Sequence, residues 1–141
     1  MKYQKWPKRD PIKNYFSVPN EVFLLGLSPG ELAVYSYMFF CEDRSTYQCW
    51  PSFKTIRKAT GMSPNTVRKY VRMLEERGLI TTESTSIITK DGQKRNGNLL
   101  FTIRPIQEAV EQFYQRQMEK VSSDVQRKKA LGTKARQERP A

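Results

Sequence analysis

Apolar residues recur every three or four positions in three consecutive segments, and this spacing predicts three helices. The segments run from Pro29 to near Asp43, over 53–60, and from Pro64 to Arg77. A serine precedes each segment, and its hydroxyl can accept a hydrogen bond from the first unpaired amides of a helix. These serines are Ser28, Ser52 and Ser63. In the short second segment, the positions expected to be buried are Phe53, Ile56 and Ala59.

Two segments rich in isoleucine and threonine follow the third helix and predict a β-hairpin. The first strand is expected over 79–89 and the second over 98–104. The loop between them, bracketed by Asp91-Gly92 and Asn96-Gly97, has a basic tip. Pro105 then opens a fourth helix with apolar residues on one face. Trp50, in a very short strand over 49–51, is expected to pack in the core or against the hairpin.

The order of these elements is that of a winged helix-turn-helix. The turn is Gly61-Met62-Ser63, in which Gly61 can adopt the left-handed backbone that a steep crossing of two helices requires. Met62 can fill the angle between the helices. We therefore predict a mainly α fold with a small β-hairpin (α+β), consisting of a three-helix core, a wing and a C-terminal helix.

The chain divides into four segments by composition. We expect a basic flexible arm over 1–14 and a winged helix-turn-helix domain over 15–104. An amphipathic C-terminal helix is expected over 105–121, followed by a basic, disordered tail over 122–141. The arm and the last 27 residues carry most of the net charge of +11.

Within the predicted domain, positive charge is concentrated in one stretch. No acidic residue occurs between Asp43 and Glu75, whereas seven basic residues do. They are Arg44, Lys54, Arg57, Lys58, Arg68, Lys69 and Arg72. A cationic face inside a folded unit is typical of a protein that binds the phosphate backbone of a nucleic acid.

The chain has few of the residues on which enzyme and metal chemistry depend. Histidine is absent and the only cysteines are Cys41 and Cys49, so the commonest general base and a four-ligand structural zinc site are both missing. No phosphate-binding loop or carboxylate pair is evident. We expect no enzyme activity, catalytic residue, cofactor or metal, and the thiols should be packing residues. Without a bilayer-spanning apolar run or a secretory signal, a cytoplasmic protein is expected.

The third helix supplies the main candidates for contact with DNA. Its N-terminal amides and dipole suit a phosphate, an asparagine can pair with adenine, and an arginine can pair with guanine. The candidates on this recognition helix are Ser63, Asn65, Thr66, Arg68, Lys69 and Arg72. Those on the wing are Lys90, Lys94 and Arg95. Backbone contacts from the supporting second helix are expected from Lys54, Thr55 and Lys58.

Three short segments of the sequence also resemble a known family. Residues 50–56, 63–70 and 74–80 are similar to a GntR-type winged helix. With Leu27-Ser28-Pro29-Gly30-Glu31-Leu32 ahead of them, they are more similar to helix-turn-helix proteins of bacterial plasmids, phages and integrative elements, several of which are the N-terminal parts of replication initiators. The resemblance covers about 15–104. A GntR regulator would continue into a large effector-binding domain, whereas a helix and a tail follow the wing here. We therefore expect no small-molecule effector.

The leading hypothesis is sequence-specific binding of double-stranded DNA by a transcriptional regulator or replication-associated factor of a mobile element. The protein would associate with the nucleoid when bound to DNA, and could dimerise through the C-terminal helix. One alternative, suggested by the helix over 106–118, is a protein-interaction module in a replication or partition assembly. Another is an RNA or single-strand binder, suggested by aromatic residues in and near the basic arm. These are Tyr3, Trp6, Tyr15 and Phe16.

Overall fold

The computed structural model describes residues 15–137, with side chains through Thr133. After a short 3-10 helix over Asn20–Phe23, this part of the chain forms four α-helices and five strands. The helices are α1 (Pro29–Cys41), α2 (Phe53–Thr60), α3 (Pro64–Glu76) and α4 (Ile106–Gln137). The strands are β1 (Gln48–Cys49), β2 (Ile80–Glu83), β3 (Ser86–Ile88), β4 (Lys94–Asn96) and β5 (Leu100–Ile103). The predicted arm over 1–14 lies outside the described residues.

The first three helices begin where their serine caps predict. Ser28, Ser52 and Ser63 each accept a hydrogen bond from the backbone amide three residues further on, at 3.1–3.3 Å. Helix α2 ends at Gly61, whose φ of 72° is the left-handed conformation predicted for the turn into α3. Caps and turn together confirm the predicted helix-turn-helix.

A three-stranded antiparallel sheet covers one side of the helices, with β5 between β1 and β2. Its register pairs Cys49 with Phe101 and Ile80 with Ile103, and these four side chains are buried. They pack with residues of all four helices, including Tyr35, Ile56, Val67, Leu74 and Ile106. The domain is thus mainly helical with small antiparallel sheets and a long C-terminal helix, which confirms the predicted winged fold.

The hairpin departs from its prediction because the single strand over 79–89 is two strands. Strand β2 pairs with β5, whereas β3 pairs with β4 in a separate two-stranded ribbon. Between them, the Thr85 hydroxyl donates to the Asn98 carbonyl, and the Gly97 amide donates to the Thr85 carbonyl at 2.8 Å. These local bonds replace the regular ladder at that point. Strand β4 (Lys94–Asn96) therefore lies within the segment that was predicted as a loop.

Two residues are exposed that were expected to pack, Ala59 in the core and Trp50 in the core or against the hairpin. Trp50 is 61% exposed, because Cys49 before it faces inward and successive side chains alternate along extended chain. Ala59 is exposed as well, since α2 turns Ile56 into the core and Ala59 lies away from it. Phe53, the third predicted position in α2, is half-buried against the core.

Helix α4 is longer than predicted. The segment over 122–137, which was expected to be part of a disordered tail, is helical. The segment contains strong helix formers, no proline and a single glycine, Gly132, and this composition sustains a helix even where nothing packs against it. Ile106 and Ala109 are buried against the domain, but every side chain from Tyr114 through Thr133 is exposed. The helix therefore projects from the domain.

No helix within residues 15–137 has both the length and the apolar character needed to cross a bilayer. Among the same residues, His, Cys, Asp and Glu side chains form no group of three that could hold a metal ion. Both cysteines are free thiols.

Candidate nucleic-acid interface

Helix α3 has one buried and one polar face. Val67, Val71 and Leu74 are at most 5% exposed and anchor it in the core. The opposite side carries four exposed polar side chains that line one shallow depression, and we call this set the recognition face. It consists of Asn65, Arg68, Lys69 and Arg72. The sequence predicted this arrangement because the apolar and cationic residues of α3 follow the same helical period on opposite sides.

Aromatic rings, rather than carboxylates, flank two of these cations. The guanidinium carbon of Arg68 lies 5.7 Å from the centroid of the Phe53 ring in α2, and Lys69 Nζ lies 5.6 Å from that of Tyr70. Between residues 15 and 133, the ion pairs are Arg77–Glu31 and Arg104–Glu108, and neither involves the recognition face. Its positive charges are therefore available to an anionic partner.

Fewer backbone amides at the N-terminus of α3 are free to bind a phosphate than was predicted. Ser63 Oγ accepts from the Thr66 amide at 3.3 Å and lies 2.7 Å from Thr66 Oγ1, so the two hydroxyls bind each other. Pro64 has no amide hydrogen. Of the first three helical amides, the Asn65 amide alone has no acceptor in the described structure. Ser63 and Thr66 thus shape the helix end, and Asn65 is left to offer both its amide and its side chain.

Helix α2 begins with the same pattern and supports α3. Ser52 Oγ accepts from the Thr55 amide at 3.1 Å and lies 2.8 Å from the Thr55 hydroxyl. Lys54, Thr55 and Lys58 are exposed, as their predicted contacts with phosphates require. Phe53 sits beneath Arg68 and so ties α2 to the recognition face. This contact was not predicted, because nothing local in the sequence pairs residues 53 and 68.

The wing cations are exposed on a β-ribbon rather than a loose loop. Lys94 lies opposite Ile88 and Arg95 lies opposite Ile87, while Lys90 belongs to the turn. Because side chains alternate along a strand, Lys94 and Arg95 face opposite sides of the ribbon. The sequence grouped these two cations, but the structure places them on separate faces of one narrow element.

The wing adds exposed isoleucines that the sequence did not single out. Ile87 is 57% and Ile88 is 79% exposed. The ribbon continues from β2 and β5, and β2 follows α3 after a short connection at Gly78. The wing therefore follows the recognition helix along the chain, with β2 as the element between them.

Residues 25–80 match a helix-turn-helix domain family. The match spans α1, α2 and α3 and ends at the first residue of β2. Together with the sheet and the wing, the match gives this part of the chain the architecture of a winged helix-turn-helix domain. No curated protein matches the chain significantly in sequence.

Two solved structures are similar at low identity. A "possible transcriptional regulator" from Methanosarcina mazei is 16% identical with a TM-score of 0.49, and the alignment covers 73% of this chain and 80% of that one. A "probable transcriptional regulator" from Pseudomonas aeruginosa is 22% identical with a TM-score of 0.38, and the alignment covers 79% of this chain and 78% of that one.

Proposed function

We propose that this protein is a sequence-specific, non-enzymatic binder of double-stranded DNA, acting in the cytoplasm as a transcriptional regulator or replication-associated factor of a bacterial mobile element. The observation that carries the proposal is the recognition face, where three cations and an asparagine stand side by side without carboxylate partners. The resemblance to plasmid and phage helix-turn-helix proteins supports the link to mobile elements.

The recognition face divides by chemistry into base-reading and phosphate-binding positions. Arg68 and Arg72 have the planar fork that pairs with the two acceptors of guanine, and the Asn65 amide has the donor and acceptor that match adenine. Lys69 is a point charge suited to a phosphate. The aromatic contact of Arg68 reduces the side-chain freedom lost on binding, so we assign it the leading role in base selection.

The remaining candidates bind the backbone. Lys54, Thr55 and Lys58 on α2 and Ser63 at the start of α3 would contact phosphates beside the groove that α3 enters. On the wing, Lys90, Lys94 and Arg95 would contact phosphates or the adjacent minor groove. Such contacts strengthen binding to every sequence and make it depend on salt.

We also propose that α4 pairs with the α4 of a second copy. Tyr114, Met118, Val121 and Val125 follow the alternating four- and three-residue spacing of a coiled-coil seam, and each is at least 45% exposed. We call these four residues the C-terminal stripe. An unpartnered apolar row of this kind on a projecting helix favours association.

Charges beside the stripe favour a parallel pair. We place Met118 and Val125 at heptad position a. Asp124 then occupies position g and Lys129 the following position e, and these two positions meet across a parallel two-stranded coiled coil. Both side chains are exposed and neither has an ion-pair partner between residues 15 and 133. Two-fold symmetry would form this pair twice.

In vitro selection from random duplexes tests both proposals. Enrichment of one sequence supports specific binding, and a palindromic consensus with half-sites about one helical turn apart supports the dimer. Failure to enrich any sequence, with no affinity for duplex DNA at low salt, would overturn the DNA assignment. Co-purification of a partner protein in that case would favour the protein-interaction alternative.

A further inference from the structure

A cavity of about 370 Å³ lies between α1, the loop after it and the start of α4, away from the recognition face. Its walls are mainly apolar and include Phe39, Ile103, Pro105 and Ile106. Its polar lining includes Tyr35, Glu42 and Arg104. Protein sites for small organic molecules typically have this size and this mixture of apolar walls and few polar groups.

Two buried polar atoms at this cavity have no hydrogen-bond partner in the described structure: the Tyr35 hydroxyl and Glu42 Oε2. Tyr35 is fully buried. Buried phenols and carboxylates nearly always have partners, because losing water without replacement is unfavourable. Two unpartnered oxygens on one cavity indicate that a hydrogen-bonding group is missing there, and Glu42 Oε2 in particular lacks a donor.

The neighbouring cations do not supply that donor. Arg44 donates to the Tyr15 carbonyl at 3.4 Å, and Arg104 pairs with Glu108 at 3.1 Å. Within residues 15–133, no basic group lies at ion-pair distance from Glu42. Burial raises the pKa of Glu42 above its usual value even though Arg44 opposes this shift.

We propose that this cavity binds a small organic cation: an amine or amidine on an apolar or aromatic body. The cation's N–H groups would donate to Glu42 Oε2 and to the Tyr35 oxygen. Its body would pack between Phe39 and Ile106, where the face of an aromatic ring also attracts a positive charge. This site is independent of the proposed DNA interface.

The overall charge of the protein makes the proposal sharply testable. At a net charge of +11, non-specific attraction favours anions and repels cations. Selective uptake of a cation would therefore require a local carboxylate. Water bridging the two oxygens is the competing occupant, and it would not discriminate among solutes.

The test uses benzamidine, benzamide and benzoate, three planar probes of nearly the same shape whose charges are positive, neutral and negative. Each is titrated into the full-length protein while the backbone amide signals of Phe39 and Ile106 are followed by NMR. We expect saturable shifts with benzamidine, weaker binding of benzamide and none of benzoate. No saturable shift with benzamidine, or equal binding of benzoate, would overturn the proposal and leave a water-filled cavity.

Two variants locate the binding. Glu42→Gln keeps the shape and removes the charge, so it should weaken benzamidine binding about tenfold or more. Tyr35→Phe removes one acceptor and should weaken binding less. Glu83→Gln removes an exposed carboxylate on β2 and should have no effect. Unchanged affinity in a folded Glu42→Gln protein would also refute the site.

Discussion

Arg77 at the end of α3 forms an ion pair with the buried carboxylate of Glu31 at the start of α1, with Nε 2.5 Å from Oε2. The same guanidinium donates to the Leu25 carbonyl at 2.9 Å. Glu31 also accepts from the Ser28 amide at 3.3 Å, which completes the capping box of α1. One ion pair thus joins the end of the recognition helix to the beginning of the first helix and to the loop before it.

Replacing Arg77 with Met should destabilise the fold by about 3–5 kcal/mol, because it leaves the Glu31 charge buried without a partner. Urea unfolding measures the change. The double variant Glu31→Gln, Arg77→Met removes both charges and should cost clearly less than the two single changes added together. Additive losses would show that the pair is not coupled.

Gly30→Ala should destabilise the protein by about 1–3 kcal/mol. Alanine is the better helix former by about 1 kcal/mol, but a Cβ at Gly30 would overlap the ring of Tyr70. Gly132→Ala is the matched control, since a Cβ there meets no atom within 4 Å and should only increase helicity. If both changes raise the thermal midpoint, the close packing of α1 against Tyr70 is refuted.

Local patterns predicted the helices well, because each cap, turn and apolar face depends on residues a few positions apart. Glu31 was predictable as the capping-box acid of α1. Its partner Arg77, 46 positions away, was not, since such pairs depend on how helices cross. The contact of Arg68 with Phe53 was missed for the same reason.

The predictions were wrong where they relied on residue composition and the structure depends on packing. The polar, basic sequence after residue 121 indicated disorder, but its helix formers continue α4. Trp50 was expected to pack in the core or against the hairpin, but its side chain is 61% exposed. The residues of β4 were predicted as part of the hairpin's loop because they are polar, and a polar strand has no apolar alternation to reveal it.

Val121→Asp should dissociate the proposed dimer, because it places an uncompensated charge in the seam at a cost of about 3 kcal/mol. Sedimentation velocity over a range of concentrations measures the effect. Ser123→Asp adds the same charge on the outer side of α4 and should leave the dimer intact. A wild-type protein that stays monomeric throughout would contradict the assignment of the C-terminal stripe.

Cys49 should resist modification in the native protein. It is 3% exposed, and burial, with smaller effects from Cys41 and Glu42, raises its pKa from 9.0 to about 12. At pH 8 a thiol reagent should label Cys49 only after urea unfolding, and a Cys41→Ser variant isolates this signal. Rapid native labelling of that variant would contradict the burial.

The same pKa shift of Cys49 predicts a loss of stability in alkali. Since the folded state holds the proton more tightly, the contribution of this thiol to the free energy of unfolding is complete below pH 9. It then declines as the pH rises toward 12. Urea titrations of wild type and Cys49→Ser between pH 8 and 10 should converge as the pH increases.

The central claim, that the recognition face reads duplex DNA, is tested most directly by fluorescence anisotropy on the selected duplex and on single-base variants of it. Arg68→Ala should lose about 1–3 kcal/mol of binding free energy and discriminate less between bases. Lys94→Ala should weaken all duplexes alike and reduce the salt dependence. Arg127→Ala, which removes the same charge from exposed α4, should retain both affinity and preference. If Arg68→Ala binds like wild type, or loses no more than Arg127→Ala, the recognition face does not read DNA.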